Sequence, residues 1–406
     1  MKRKNIPLGR PSILRHTNAH SILKLLRDFG SCSRADLVRA SGLSAPTVTN
    51  VVKDLLQKGL VEPLGEGESS GGRPPDMIRF HAERGCLLAV QISSASLTFL
   101  LTDLNGIELE ACKLPLADYS TTPAAVCGYI EKELKLLLRK QKKTRDQLLA
   151  IVVGVPAITN VNDGTVLAIS TLEDWRSVPL RDMLSKVVHC TVILENDINL
   201  AAQGEQFCGA AQSEKDFVLI DIGENVGAGI FLDGRIHHGS QWSAGEIGYM
   251  RLPGTSRRQP TIHEFGELEM LLTGSGILKS WHETSDKHTR GETASDDEIN
   301  AIVILDMAHA GDARARKIIR KRAEIVADII IDLSLILNPN LILLGGEIGG
   351  HPALIEFVRQ QLQGSEFAVP SISSGTSGNR AVLWGAIALA LEAIPSVLLP
   401  EPPMSS

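Results

Sequence analysis

The segment from Ser33 to Arg73 constrains the fold of this chain most, because it has the residue order of a winged helix-turn-helix. Ser33 is placed to cap a short helix, and Gly42 supplies the tight turn that follows. Ser44 is placed to cap a second helix, whose first turn tolerates Pro46. The pattern predicts a domain that binds duplex DNA with its second helix in the major groove.

The second helix of this segment is amphipathic, with apolar residues at the helical period and short polar groups on the other face. Asn pairs bidentately with adenine, Thr offers a hydroxyl or a methyl group, and Lys reaches phosphate or guanine. The candidate DNA-binding residues of this helix are Ser44, Thr47, Thr49, Asn50 and Lys53.

A wing is expected after the second helix. Leu60 and Val61 begin a strand, and the glycine-rich segment from Gly65 to Gly72 is typical of a hairpin loop. We expect this wing to be basic. Arg73 precedes two prolines, so its segment is extended, and Arg73 is a candidate contact to the minor groove or to phosphate. The alternative for Arg73 is an arginine in a solvated linker.

Charge is distributed unevenly along the chain. Residues 1–84 contain 14 Lys+Arg and 8 Asp+Glu, whereas the remaining residues contain 27 and 39. DNA phosphates attract the first region and repel the second. We therefore predict a DNA-binding domain with wing and linker at residues 1–84 and a unit with a different partner at residues 85–406. The alternative, a helical hairpin on the surface of a larger enzyme, leaves the coincidence of cap, turn glycine and charge unexplained.

Length and composition limit the remaining possibilities. A chain of 406 residues is too long for one core. No stretch reaches membrane length, and no apolar run follows the basic N-terminus as in a signal peptide. The six cysteines form no CxxC pair, which indicates reduced, buried thiols in a cytoplasmic protein.

The region from residue 85 onward has an α/β pattern, in which short apolar strands alternate with helical segments and glycine-rich turns. A last helix, Ala381–Ala393, is apolar nearly all round and is expected to be buried. The predicted strands are Leu87–Ile92 and Leu97–Asp103 as a hairpin, Leu148–Val153, Val192–Leu194, Phe217–Ile222 and Gly227–Leu232 as a second hairpin, and Leu341–Leu344.

Several sequence fragments occur in a recognisable order. They are RHTNAHSILKLL, SAPTV, GVPAI at 154–158, END at 195–197, VGAGIFLDGRIHHG at 226–239, GEIG at 245–248, GELE at 266–269 and NPNLILLGGEI at 338–348. Together they resemble the ROK family (repressors, open reading frames and sugar kinases) over nearly the whole chain, in the branch that joins a winged helix to a sugar-kinase-like body. The resemblance implies a two-lobed actin-like fold with ligand between the lobes. It also adds Arg15 and Asn18 to the candidate DNA-binding residues.

The resemblance further implies a sugar-binding site. Asn196 and Asp197 match the family's Asn-Asp pair, which binds sugar hydroxyls and whose Asp is the catalytic base in the kinases. Glu246 and Glu269 match two further sugar-binding acids, and Tyr249 occupies the position of a sugar-contacting His. Carboxylates suit this task because they accept hydroxyl protons. An isolated Asn-Asp pair is also common as a helix cap or a turn.

Two departures from the family pattern argue against kinase activity, so no catalytic residue is expected. The Asp-x-Gly-Gly-Thr hairpin that holds magnesium and phosphate in the kinases is replaced by Gln91, Ser93, Ser94 and Ala95. The second phosphate loop, Gly-Thr-Gly, becomes Gly223, Glu224 and Asn225, which places a carboxylate beside the phosphates.

The family's zinc ligands are replaced as well, so neither a metal nor a cofactor is expected. The equivalent positions are Tyr249, Pro260, Ile262 and Glu267, which do not form a set of soft donors. His237 and His238 are interpreted as turn residues rather than as a substitute metal site.

The resemblance implies a cytoplasmic transcriptional regulator that represses genes of carbohydrate uptake or catabolism. Its expected partners are double-stranded operator DNA, a sugar or sugar-phosphate effector and a second copy of the chain, as a homodimer or a dimer of dimers, with no membrane partner. Lobe closure around the effector would change the spacing of the two recognition helices. The alternatives are an active sugar kinase with an accessory DNA-binding domain, and a body that only dimerises or docks to a transport protein.

Overall fold

The computed structural model describes residues 11–67, 74–169, 172, 174–251, 264–284, 299–364 and 370–399. Arg73, the tip of the predicted wing, Pro260 and Ile262 lie outside these residues.

The N-terminal region folds as a winged helix. Ser33 caps α2 in a reciprocal capping box with Asp36, and Gly42 ends that helix in the left-handed conformation, with φ 67°. Ser44 caps α3 as predicted. The three short strands form an antiparallel sheet in the order β1-β3-β2. The elements of this region are α1 (Pro11–Phe29), β1 (Ser31–Ser33), α2 (Arg34–Ser41), α3 (Ala45–Gln57), β2 (Val61–Glu66) and β3 (Asp76–Phe80).

The first lobe of the body is built on a five-stranded sheet in the order β11-β7-β4-β5-β6. Strands β4, β5 and β6 are antiparallel neighbours, whereas β7 and β11 extend the sheet in parallel. The elements are β4 (Cys86–Ile92), β5 (Ser96–Thr102), β6 (Glu108–Pro115), α4 (Pro123–Lys140), β7 (Leu148–Val155), β8 (Ile158–Asn160), β9 (Thr165–Ala168), β10 (Arg176–Val178), α5 (Leu180–Val188) and β11 (Thr191–Asn196).

The second lobe is built on a sheet in the order β14-β13-β12-β15-β16. Its strands β12 and β13 form an antiparallel hairpin, and β15 and β16 extend it in parallel. The remaining elements are α6 (Asp197–Cys208), β12 (Phe217–Ile222), β13 (Val226–Leu232), β14 (Arg235–Ile236), α7 (Glu267–Leu272), α8 (Gly274–Glu283), α9 (Ala301–Ala310), α10 (Ala313–Leu337), β15 (Leu341–Gly345), α11 (Gly346–Gly349), α12 (Pro352–Leu362), β16 (Ser371–Ser374) and α13 (Ala381–Leu398).

The two sheets share one plan, since each has an antiparallel meander with two parallel strands added beyond its first strand. This duplication confirms the predicted two-lobed α/β body. Both predicted hairpins and the other predicted strands are present, with ends that differ by up to two residues. The last helix is five residues longer than predicted and contains Pro395.

The last helix also corrects the statement that no stretch reaches membrane length. Residues 378–398 are long and apolar enough to span a membrane by length and composition. However, α13 packs against α6, β4 and β7, and its residues Leu383, Ile387 and Ile394 are buried in the apolar cluster that they share with the winged helix. The helix is apolar on most sides because it is a core helix that contacts several elements.

All six cysteines are free thiols. Cys32, Cys86 and Cys127 are buried, as expected, whereas Cys208 is exposed. Burial raises the pKa of Cys86 to about 12, so this thiol stays protonated and unreactive at neutral pH.

Candidate functional site

The exposed face of α3 presents the residues predicted to contact DNA. Thr49, Asn50 and Lys53 are exposed, and Val48 and Val52 on the opposite face are fully buried. Ser44 Oγ accepts a hydrogen bond from Thr47 N at 3.4 Å and lies 2.8 Å from Thr47 Oγ1. These two hydroxyls therefore also define the start of the helix. The DNA contacts themselves remain predictions.

Arg15 and Asn18 lie on α1, which packs against α3 on one side and contacts α13 on the other. Arg15 is exposed and Asn18 is half-buried. Both residues are thus outside the recognition helix, and their role in DNA binding stays a prediction that rests on the family resemblance. Arg73 lies outside the described residues, so its role also stays a prediction.

The prediction of a basic wing is wrong for the two described strands. Glu62, Glu66 and Asp76 outnumber Arg79 there. Arg79 is also neutralised, because its guanidinium contacts Glu62 at 2.5 Å and Glu83 at 3.0 Å. These charges pair across the sheet, so the positive charge of the first 84 residues comes from outside β2 and β3.

The five residues predicted to bind sugar line one cavity between the lobes. Asn196 and Asp197 stand at the junction of β11 and α6, Glu246 and Tyr249 belong to the turn after β14, and Glu269 lies on α7. The cavity measures about 50 Å³. Pockets for small molecules usually measure roughly 300–1,000 Å³. The cavity is therefore narrow in this conformation.

Asn196 has a structural role in addition to its predicted one. Its Oδ1 accepts hydrogen bonds from the backbone N–H groups of Ile198 and Asn199 at 2.9 and 3.1 Å, so it caps α6. Its Nδ2 donates to the carbonyl of Ala157 at 3.1 Å. The cap interpretation is therefore confirmed, and the sugar contact of Asn196 stays a prediction.

The carboxylates of the cavity line the same wall and are partly shielded from water, since Glu269 is buried and Asp197 and Glu246 are half-buried. Burial, with the nearby charge of Asp221 as a second cause, raises the pKa of Asp197 to about 8. Burial and the charge of Glu269 raise the pKa of Glu246 to about 7. Glu269 itself accepts hydrogen bonds from Val226 N at 3.3 Å and Gly266 N at 2.8 Å. The site thus holds protons at neutral pH that ordinary carboxylates would release.

Tyr249 uses its hydroxyl locally, because the hydroxyl donates to the carbonyl of Glu264 at 2.9 Å. Burial raises the pKa of this phenol to about 12. Tyr249 therefore stays neutral and contributes a ring edge to the wall of the cavity.

Two residues next to the cavity were missed by the sequence analysis. Glu195 is buried and lies 2.7 Å from His238 Nε2, which connects β11 of the first lobe with the loop after β14 of the second. This hydrogen bond raises the pKa of His238. The interpretation of His238 as a simple turn residue is therefore wrong, because its ring reaches a buried carboxylate far along the chain. The END fragment of the family pattern includes Glu195, but no feature of the sequence indicated that His238 is its partner.

A second, larger cavity of about 930 Å³ lies on the other side of Asp197, which lines both cavities. Gln91 and Ser93 from the first-lobe hairpin and Asp221 from the second-lobe hairpin contribute to its wall. The two hairpin turns meet across the cleft, where Ser94 Oγ donates to Glu224 Oε2 at 2.8 Å. The positions predicted to replace the phosphate-binding residues of the kinases thus contact each other directly.

Among the described residues, no group of three or more His, Cys, Asp and Glu side chains is arranged to hold a metal ion. Tyr249 and Glu267, two of the four positions that replace the zinc ligands of relatives, are described. The other two lie outside the described residues.

A winged helix joined to a two-lobed, sugar-kinase-like body with a carboxylate-lined cleft defines a class of DNA-binding proteins with a ligand-sensing body. The chain belongs to the ROK family, whose profile matches residues 87–393. The profile of the MarR family, which describes a winged helix, matches residues 17–63.

Relatives resemble the chain over nearly its whole length, and solved structures share its fold. The xylose repressor of Caldicellulosiruptor bescii is 26% identical over 95% of this chain and 98% of its own length. The DNA-binding transcriptional repressor Mlc of Escherichia coli is 26% identical over 92% of both chains. A crystal structure of a ROK family transcriptional regulator, a homolog of Mlc, has a TM-score of 0.76, with 23% identity over 95% of this chain and 98% of that chain. The ROK family glucokinase from Streptomyces griseus, solved with glucose and AMPPNP, has a TM-score of 0.61 and 23% identity over 75% of this chain and 99% of its own.

Proposed function

We propose that the protein is a sugar-responsive transcriptional repressor of genes for carbohydrate uptake or catabolism, and that it acts in the cytoplasm as a homodimer or a dimer of dimers. The observation that carries the proposal is the joining, in one chain, of a winged helix and a cleft in which all five predicted sugar-binding residues converge. The full-length similarity to the xylose repressor and to Mlc supports it. We place the division between the two units after residue 84.

DNA recognition is assigned to α3. Its polar face offers Asn50 to a base edge and Lys53 to phosphate or guanine, while the buried face fixes the orientation of the helix. Two copies of the chain would present two such helices to half-sites roughly 34–36 Å apart. The operator is then a palindrome that mirrors the two-fold symmetry of the dimer.

The effector is assigned to the cavity of Asp197, Glu246 and Glu269. Because that cavity measures only about 50 Å³ in this conformation, a sugar would enter a more open arrangement of the lobes, and the lobes would then close around it. A ligand that binds one conformation preferentially shifts the population toward that conformation. The size of the shift is limited by the difference between the ligand's affinities for the two conformations.

Helices α6 and α13 connect this cavity to the winged helix. The first turn of α6 contains Asp197, and α6 crosses α13 at Gly204 and Gly385. A Cβ atom on either glycine would overlap a carbonyl oxygen of the facing helix, that of Ala381 or Leu200. Backbones packed this closely move as a unit rather than slide past each other.

Helix α13 in turn contacts α1 of the winged helix. Arg27 Nη1 donates to the carbonyl of Leu391 at 2.8 Å, and the His20 ring nitrogen Nε2 lies 3.3 Å from the carbonyl oxygen of Leu399. Leu391 and Ile394 share a buried apolar cluster with Leu23 of α1. A displacement of α6 on sugar binding would therefore reach the recognition helix through two packed helices.

Phosphotransfer is not part of the proposed function. The turns that hold phosphate in the kinases hydrogen-bond to each other through Ser94 and Glu224, and Glu224 adds a negative charge where phosphate would lie. Both features favour a sensor over an active sugar kinase.

Selection from a pool of random DNA duplexes tests the DNA-binding half of the proposal. The full-length protein is expected to enrich a palindromic site, and the same protein with α3 altered by Asn50→Ala and Lys53→Ala is expected to enrich none. Equal enrichment by both proteins would show that α3 is not the recognition helix.

A further inference from the structure

We infer that the effector is an unphosphorylated sugar and that Asn225 is a specificity-determining residue for it. The inference rests on the proposed sugar-sensing function of the cleft and specifies the chemical class of the effector. Asn225 lies in the β12–β13 turn, at a position that belongs to a phosphate loop in the related kinases. Its side chain lines the sugar cavity instead.

The turn that contains Asn225 directs its two polar residues to different places. Glu224 reaches Ser94 of the first lobe at 2.8 Å, on the side of the larger cavity. Asn225 Oδ1 is buried in the wall of the smaller one and accepts no hydrogen bond from the described part of the chain. A buried acceptor without a donor is costly, and a ligand hydroxyl would satisfy it.

The unused hydrogen-bonding capacity of the cavity consists mainly of acceptors. Asp197 accepts backbone hydrogen bonds from Ile198 and from its own N–H, and the Glu246 carboxylate receives none from described residues. With Asn225 Oδ1, these groups are suited to the hydroxyl donors of a sugar. A phosphate group offers acceptor oxygens and would leave Asn225 Oδ1 without a donor.

The charge of the cavity also favours an unphosphorylated sugar over a sugar phosphate. The described residues that line the cavity include three carboxylates and no Lys, Arg or His. A phosphate ester at neutral pH carries a charge of about −1.5 to −2, and in a cavity shielded from water its repulsion by carboxylates is strong. Burial raises the pKa of Asp197 to about 8 and that of Glu246 to about 7, so the empty cavity already disfavours negative charge.

Isothermal titration and thermal-shift measurements on the full-length protein test the inference. The probes are D-xylose, D-glucose and N-acetyl-D-glucosamine, together with the 6-phosphates of the last two and xylose 5-phosphate. We expect at least one unphosphorylated sugar to bind, and its phosphate ester to bind at least tenfold more weakly. Asn225→Ala is expected to weaken binding of that sugar about fivefold and to change the affinity ratios among the three sugars.

The control variant is Asn105→Ala, which removes an exposed asparagine from the β5–β6 turn and is expected to leave every affinity unchanged. Asn225→Ala removes an unpaired buried acceptor, so its melting temperature without sugar is expected to equal or exceed that of the wild type. Tighter binding of a phosphate ester than of its parent sugar would overturn the inference and leave the proposed function intact. Unchanged sugar affinities and ratios in Asn225→Ala would refute the role of that residue. Binding of none of the six probes would overturn the sugar-sensing function as well.

Discussion

At the scale of single residues, Asn196 and Asp197 divide structural and binding roles between neighbours. Asn196 uses its amide to cap α6 and to reach Ala157, so its side chain is fixed. Asp197 is half-buried and lines the cavity together with Glu246. The cap supplies the rigidity, and the acid supplies a group whose protonation depends on its surroundings.

Asp197 makes the stability of the sugar-free protein depend on pH. Its pKa is about 8 in the folded state and near 3.8 ordinarily, so its contribution to stability is fully present below about pH 4 and is lost as pH rises through about 8. Asp197→Asn removes this titration and keeps the acceptor that Ile198 N uses. The variant is expected to exceed the wild type in free energy of unfolding by an amount that grows with pH, on the order of 2 kcal/mol at pH 8. Chemical denaturation between pH 5 and pH 8 measures the difference. If the free energies of unfolding of the two proteins differ by the same amount at every pH, the raised pKa of Asp197 is contradicted.

Asn50 and Lys53 are expected to affect DNA binding in different ways. Asn50→Ala should relax base preference at one position of the site at a cost of about 1–3 kcal/mol, because an amide pairs with a base edge. Lys53→Ala should weaken binding to all sequences similarly. It should also reduce the slope of log affinity against log salt concentration by about 1, the contribution of one phosphate contact. Selected sites and salt titrations distinguish these outcomes. Interchanged effects would mean that α3 enters the groove in another orientation.

Sequence patterns predicted the cleft residues but not their partners. Asn196, Asp197, Glu246 and Glu269 were identified from fragments of a family pattern, and the structure brings them together. The pairing of Glu195 with His238 was not predictable, because 43 residues separate them and only the packing of one lobe on the other joins them. Local patterns carry no information on such contacts.

At the scale of secondary-structure elements, α13 connects the parts of the molecule. It crosses α6 at Gly385 and contacts α1 through Leu391 and Leu399. Its apolar composition, which satisfies the length and composition of a membrane span, follows from these contacts on several sides. One core helix thus touches both the sensing and the DNA-binding parts.

Arg27 provides a test of this connection. Arg27→Met keeps the apolar stem and removes the hydrogen bond to the Leu391 carbonyl, so α1 should follow α13 less closely. Operator affinity without sugar is expected to change little. The factor by which sugar changes operator affinity should be about threefold to tenfold smaller than in the wild type. Arg39→Met, which removes an exposed arginine of α2 paired with Asp36, is the matched control. An unchanged ratio in the Arg27 variant would exclude this route.

Elements with strong local signals were predicted well. The caps Ser33 and Ser44 and the turn at Gly42 appear as expected, because capping and left-handed turns depend on adjacent residues. The charge of the two described wing strands was predicted wrongly, because it was judged from the whole N-terminal region rather than from β2 and β3. In those strands Arg79 pairs with Glu62, a cross-strand contact that composition does not show.

At the scale of the whole molecule, the two lobes repeat one sheet plan and enclose the cleft between them. Their hairpin turns meet through Ser94 and Glu224 rather than around phosphate. We expect the purified protein to transfer no phosphate from ATP to D-glucose, D-xylose or N-acetyl-D-glucosamine in a coupled assay. Turnover above about 1 per second, near the low end of typical kinases, would show that the phosphate side of the cleft is functional.

Control of DNA binding by sugar in the cleft is the central claim, and a titration of sugar against a labelled operator complex tests it most directly. Wild-type protein is compared with Asp197→Ala and with Asp118→Ala, which removes an exposed acid that lines neither cavity. We predict that wild type and Asp118→Ala change operator affinity at the same sugar concentration, whereas Asp197→Ala binds the operator normally without sugar and needs at least tenfold more sugar to respond. A response of Asp197→Ala at the wild-type concentration would contradict the account.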